Sequence, residues 1–252
     1  MQFEIQKAGM GKRAGAFMVD MILTVILAYL LMTLLTNVTG YNRKAEEMQS
    51  VYRRYCEEAG LAPELTEAEF EALPQEVQAK YQAVSEAMDE DEAAVALLNQ
   101  TVRLSLLCLT LSIFIPFVIF EFVIPLFMKE GRTLGKRIFG LCVVHLNGVR
   151  MEPFSVFVRG MIGKFAIETM VPVLILVQMY YNAGSIVGAA VVLVLLAVQI
   201  ILLIATGNNQ ALHDILPQCA VVDYQSQVIY ATYEDMKAAQ GEKIGRAAKG
   251  AE

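Results

Sequence analysis

Charge is scarce in this chain. Only 18% of its 252 residues are Asp, Glu, Lys or Arg, 56% are apolar, and the mean hydropathy is +0.48. Both shares depart from those of a soluble domain. The scarcity is greatest from Ala14 to Leu35, where Asp20 is the single charged residue. Cysteine is also sparse: Cys56, Cys108, Cys142 and Cys219 lie scattered, without a CxxC pair or Cys/His spacing, which argues against a disulfide framework and a zinc site. No metal and no cofactor are expected. There is no basic stripe interleaved with aromatics, so nucleic acid is not a partner. No Ser-His-Asp or Cys-His arrangement stands out, and no enzyme is expected. The loop Gly131-Arg132-Thr133-Leu134-Gly135-Lys136-Arg137 has three residues between its glycines, and Arg follows the Lys. A phosphate loop needs four residues there and then Ser or Thr, so nucleotide binding is rejected.

What is present is apolar helix in lengths that suit a bilayer. About 20 consecutive apolar residues cross its hydrocarbon core. The run after Arg13 is too long for a signal peptide and lacks a small-residue cleavage site, so it reads as a retained first span. The fold class expected is an all-α membrane protein with four transmembrane helices, an extracytoplasmic helical insertion and a small cytoplasmic β-hairpin element. Residues 1–36 form a cytoplasmic N-terminus and the first span, and residues 37–100 an acidic insertion with 14 Asp and Glu against 5 Lys and Arg. Residues 101–128 form the second span, interrupted by Pro116 and Pro125. Residues 129–164 form a loop with 7 bases against Glu130 and Glu152, and residues 165–206 the third and fourth spans. Residues 207–252 form a cytoplasmic segment and tail. Basic loops stay inside, so both termini and the 129–164 loop are expected on the cytoplasmic side and the insertion outside.

Shorter signals lie within these segments. Thr66-Glu-Ala-Glu69 has the spacing of a capping box, and Val77, Tyr81, Val84 and Met88 recur at three and four, as one buried helical face does. Ile138–His145 is β-branched and apolar, and Asn147-Gly148 is a hairpin turn signal. Cys219–Tyr224 is a further strand able to pair with that hairpin.

An ionised side chain within a span is expensive and demands a partner, a proton or a wet interior. Counted at 1.5 Å per residue, Asp20, Glu121 and Glu168 fall roughly 7 to 11 Å on the cytoplasmic side of the centres of their spans. Arg13, Arg159, Lys164 and the His213-Asp214 pair border that layer. Two readings stay open: a cation or proton site facing the inner leaflet, or an ion-pair network clamping the basic loop to the helices, with Asp20 paired to Arg159, Lys164 or another base.

The runs KRAGAFMVDMIL, GRTLGKRIFGLCVVHLNGVRMEPFSVFVRG and QALHDILPQCAVV, in this order and spacing, closely resemble the RDD family of bacterial multi-pass membrane proteins, named for one arginine and two aspartates. By matching position Arg13 is the arginine, Asp20 the first aspartate and Asp214 the second. The loop residues Gly131, Thr133, Gly135, Lys136 and Arg137 also match, and the acidic insertion lies outside the shared pattern. The resemblance implies a bacterial cell membrane protein, with transport of an ion or small solute the usual conjecture. Glu121 and Glu168, from depth counting, and Arg159, Lys164 and His213, at the edge of that layer, are its second members outside the resemblance. The expected function is transport of a cation or a proton-coupled small solute, with the lipid bilayer as partner and a homo-oligomer to complete the pathway. The alternative is a membrane assembly or interaction protein that binds an extracytoplasmic protein through residues 41–98.

Overall fold

The structure is a computed structural model and describes residues 5–128, 130–173, 175 and 186–249. Helix α1 (Met10–Val38) is followed by α2 (Tyr41–Glu58), a short α3 (Glu67–Glu71), α4 (Gln75–Glu90) and the long α5 (Glu92–Phe127). Then come a short α6 (Leu134–Ile138), strand β1 (Leu141–His145) and α7 (Pro153–Phe157), which runs on as a wider π-type helix over Val158–Met170. The chain ends with α8 (Ile186–Ala205), a four-residue α9 (Leu212–Ile215), β2 (Cys219–Asp223) and α10 (Tyr233–Lys249). Three described helices are long and apolar enough to cross a membrane: Met10–Val38, Glu92–Phe127 and Gly188–Ala205. Their outward faces carry large apolar side chains, among them Tyr29 (72% exposed) on α1 and Ile204 (76%) on α8. Surfaces of that kind suit lipid and would be a liability in water. The expected third span, Phe165–Tyr181, runs into residues 176–181, which lie outside the described residues, as does the expected connection at residues 182–184. Its first part winds as π-helix rather than α-helix.

Two compact units divide the chain: Leu27–Phe114 forms one, and Met1–Ile26 with Ile115–Glu252 the other. In the first, the capping box at Thr66 and Glu69 starts α3. Gly60, at φ +68°, follows the end of α2 in the left-handed conformation that glycine adopts without strain. Val84 and Met88 of α4 pack on Cys56 of α2, with Tyr81 and Tyr52 at the border. The insertion therefore has a small helical core of its own.

The second unit holds the sheet. Here the expected local hairpin is corrected. β1 pairs antiparallel with β2, in the register Cys142↔Val222 and His145↔Cys219, whereas the turn at Asn147-Gly148 leads into a single bridge, Val144↔Arg150. The reason is burial on both faces. Leu141, Val143, Cys219 and Val221 pack with Ala8, Ala16, Met151 and Val156, and Cys142, Val144, Ala220 and Val222 pack with Ile5, Leu146 and Ile229. A strand apolar on both faces gains most from an equally apolar partner. Cys-Ala-Val-Val supplies one, and the sequence after Gly148, Val-Arg-Met-Glu-Pro, does not. The segment before α1 joins the edge of β2 through Ala8 N–H to the Val221 carbonyl, so the start of α1 is anchored to this sheet.

Candidate functional site

Above this sheet the second unit gathers charged side chains from α1, α5, α6, the π-helical segment and α9. Asp20 (5% exposed) is the first case. One of its oxygens accepts from the Gly135 N–H at 2.7 Å, and the other from the Thr133 hydroxyl. Thr133 itself caps α6, accepting from Lys136 N–H at 3.3 Å. The carboxylate of α1 thus completes the N-terminus of α6, where unpaired amides and the helix dipole favour a negative charge. Close approach makes this possible: a Cβ on Gly135 would lie 2.1 Å from the Ala16 carbonyl oxygen. The expected ion pair at Asp20 is a correction. Among the described residues no base lies within bonding distance of it, because two neutral donors already hold its oxygens.

Asp214 is the second case, and it is completely buried. Arg159 brings both Nε and Nη2 to Asp214 Oδ1 at 2.8 Å. The other oxygen receives Arg13 Nη2 at 3.5 Å and the Ala211 N–H at 3.2 Å. Arg13 also donates from Nη1 to the carbonyl of Asn209, a residue held at φ +51°. Burial would push the Asp214 carboxyl up, but Arg159, His213 and Arg13 outweigh it and hold the group well below the usual carboxylate range. Arg159 is pushed the other way: burial disfavours its charge, and Asp214 more than restores it. Arg13 and Asp214 therefore meet, while Asp20 does not join them.

The third and fourth cases are pairs. Lys164 Nζ donates to Glu121 Oε1 at 2.5 Å. Glu168 faces His213, with 2.9 Å from Nδ1 to each carboxylate oxygen and 3.0 Å from the His213 N–H. His213 lies directly on Gly163, where a Cβ would stand 2.6 Å from that of His213. Burial is the main reason that the ring's pKa is lowered, although Asp214 opposes it, so His213 is held neutral. Gln199 joins this corner by hydrogen bonding to Glu168 and by accepting from the Leu212 N–H at 3.1 Å.

With His213 neutral, Arg13, Lys136, Arg159 and Lys164 stand against Asp20, Glu121, Glu168 and Asp214, so the layer carries no net formal charge. Two groups in it are poorly matched. Glu121 Oε2 is buried and has no hydrogen-bond partner among the described residues. Lys136 (7% exposed) reaches one polar atom among the described residues, the Thr133 hydroxyl at 3.4 Å. Burial, with Arg159 and Lys164 adding repulsion, pushes its ammonium down to about 7, and Glu121 and Asp20 pull the other way. Among the described residues no three His, Cys, Asp or Glu side chains come together in a way that could hold a metal ion.

The RDD family model matches residues 7–218. The chain belongs to the RDD family. No curated protein and no solved structure matches it. In this RDD protein the resemblance-derived residues take distinct places: Arg13 and Asp214 share one pair, Asp20 fastens α6, and Thr133 and Gly135 provide the donors that it binds. Arg137 is exposed and outside the layer, and Gly131 turns the chain at φ +59°. Depth counting led to Glu121 and Glu168, and the structure sets them against Lys164 and His213, which with Arg159 were expected at the edge of the layer. Sequence reasoning missed Gln199 and the role of Lys136. The signal for Gln199 was its position as the single polar side chain in the apolar run of α8. Lys136 was marked by the loop pattern, but its burial was not, because a lysine in a basic loop reads as solvated.

Proposed function

We propose that this RDD membrane protein moves protons or a small cation across the bilayer, and that the exchanging centre is Glu121 with Lys136 and Lys164. On this reading it is a transporter of the bacterial cell membrane and not an enzyme. The basic 129–164 loop and both termini face the cytoplasm, and a homo-oligomer completes the path. The observation that carries the reading is the buried Glu121 Oε2, unpartnered among the described residues, in the same layer as a lysine that no described carboxylate pairs. A buried carboxylate oxygen without a donor is costly, and a bound ion or proton is one of the few things that answers it. Asp20 and Asp214 are poor candidates for that role, since their oxygens are already held, and they serve as the frame.

The test is flux in proteoliposomes carrying a pH-sensitive dye, under sodium, potassium and proton gradients. Glu121→Gln should abolish flux while the protein still inserts and elutes as the wild type does. Flux of wild-type rate in Glu121→Gln, or none in the wild type under any gradient, overturns the proposal.

A second reading has its own support. The insertion has an independent core and a strongly acidic surface, which suits capture of an extracytoplasmic protein. Deleting residues 41–98 separates the two: flux that survives with loss of a co-purifying partner favours assembly, and flux that fails while the partner stays bound disfavours it.

A further inference from the structure

Away from the charged layer, arginines crowd the end of α5. A cleft of about 430 Å³ is lined by Phe127, Met128, Glu130, Arg132, Arg137 and Tyr224. A second cleft of about 500 Å³ shares Glu130 and Tyr224 with it and adds Arg150. Three guanidinium groups thus face one carboxylate. Arg132 lies flat on the Tyr224 ring, 3.3 Å from its centroid, with Nη2 on Glu130 at 2.8 Å. That stacking orients the guanidinium, yet Arg132 Nε is buried and has no acceptor among the described residues. Arg150 Nε is likewise buried and without an acceptor among the described residues.

Buried N–H donors are satisfied in native proteins by protein, water or ligand, and a charged donor left empty is the most costly kind. Three arginines lining paired clefts against one carboxylate among the described residues leave excess positive charge there, which suits an anion with several acceptor oxygens. The planar guanidinium fits phosphate in this way. The rim points to the source. Phe127 is 79% exposed and ends a membrane-crossing helix, so the anion's neighbour at that edge is apolar. Basic residues bordering a span attract anionic headgroups.

We propose that these clefts hold the phosphate of an anionic phospholipid, with Arg132, Arg137 and Arg150 on the phosphate oxygens and Phe127 against the acyl chains. This site is separate from the charged layer and stands whether or not the protein transports.

The test uses the full chain in detergent. Phosphatidylglycerol, phosphatidylcholine or inorganic phosphate is titrated while thermal unfolding is followed with a thiol-reactive dye on the four buried cysteines. Retained lipid is counted by native mass spectrometry. Phosphatidylglycerol should raise the midpoint and phosphatidylcholine should not. Arg132→Gln and Arg137→Gln should each raise the half-effective lipid concentration roughly fivefold, and the exposed Arg43→Gln in α2 should leave it unchanged. Arg137 is exposed, so its variant keeps the fold if Arg132→Gln does not. An equal effect of inorganic phosphate, lost in the same variants, supports the anion site and overturns lipid as its source. An equal shift with phosphatidylcholine, or phosphatidylglycerol binding unaltered in both variants, overturns the proposal.

Discussion

Asp214→Asn isolates the largest electrostatic commitment in the fold. The substitution is nearly isosteric and leaves an acceptor for the Ala211 N–H, but it removes the one full negative charge that Arg159 meets at 2.8 Å and Arg13 at 3.5 Å. Breaking a buried pair by removing one partner costs about 3–5 kcal/mol, because the other charge stays buried and uncompensated. Here two guanidinium groups are left, with side chains 7% and 13% exposed. For a chain of this length each kcal/mol lowers the unfolding midpoint by about 2–4 °C, so the expected fall is roughly 6–20 °C. The chain has no tryptophan, but its four cysteines are free and buried, and a thiol-reactive fluorophore reads unfolding directly. Arg159→Gln should cost less in the Asp214→Asn background than in the wild type, by about 0.5–3 kcal/mol of coupling. The carboxyl is depressed, so its contribution is fully present above the unfolded value of about 4 and is lost only as pH falls toward the lower folded value. A midpoint shift below about 2 °C, or strictly additive costs, would refute the assignment of Asp214 as the pivot of the layer.

Other outcomes follow from the same geometry. Gly135→Ala should destabilise by about 1–3 kcal/mol or more, since the new Cβ would press on the Ala16 carbonyl and displace the Asp20 carboxylate; an unchanged midpoint in the thiol assay would contradict the close approach. Asp20→Asn keeps the shape but weakens the cap of α6, and the expected loss is about 0.5–2 kcal/mol, smaller than for Asp214→Asn. His213 is held neutral with a lowered pKa, so the unfolded chain takes up the proton first and stability should decline as pH falls below about 6.5; His213→Gln should flatten that decline in a pH series of midpoints. Lys136 is pushed down to about 7, so stability should rise from pH 7 toward the unfolded value of about 10.4 as the buried ammonium loses its proton. Lys136→Met should therefore stabilise at neutral pH, with a gain that shrinks as pH rises.

The long apolar runs, the capping box at Thr66 and the period of Val84 and Met88 were legible because each is a local property, fixed by neighbours within one or two helical turns. The RDD family was legible for a related reason: its three motifs survive as strings. Pairing was legible in part. Cys219–Tyr224 reads as a strand able to join the Ile138–His145 segment, but only burial of both faces makes residues 219–223, and not the nearby chain after Gly148, the main partner of β1. Asp20 was flagged by its isolation in an apolar run, yet what it binds is set by how closely α6 settles on Ala16, a distance no residue spacing encodes. The sequence by itself determined that this chain enters a membrane and that buried acids must be answered. The tertiary structure alone decided which donor answers each of them, because a carboxylate's partner depends on which backbones approach within 3 Å, and that follows from packing.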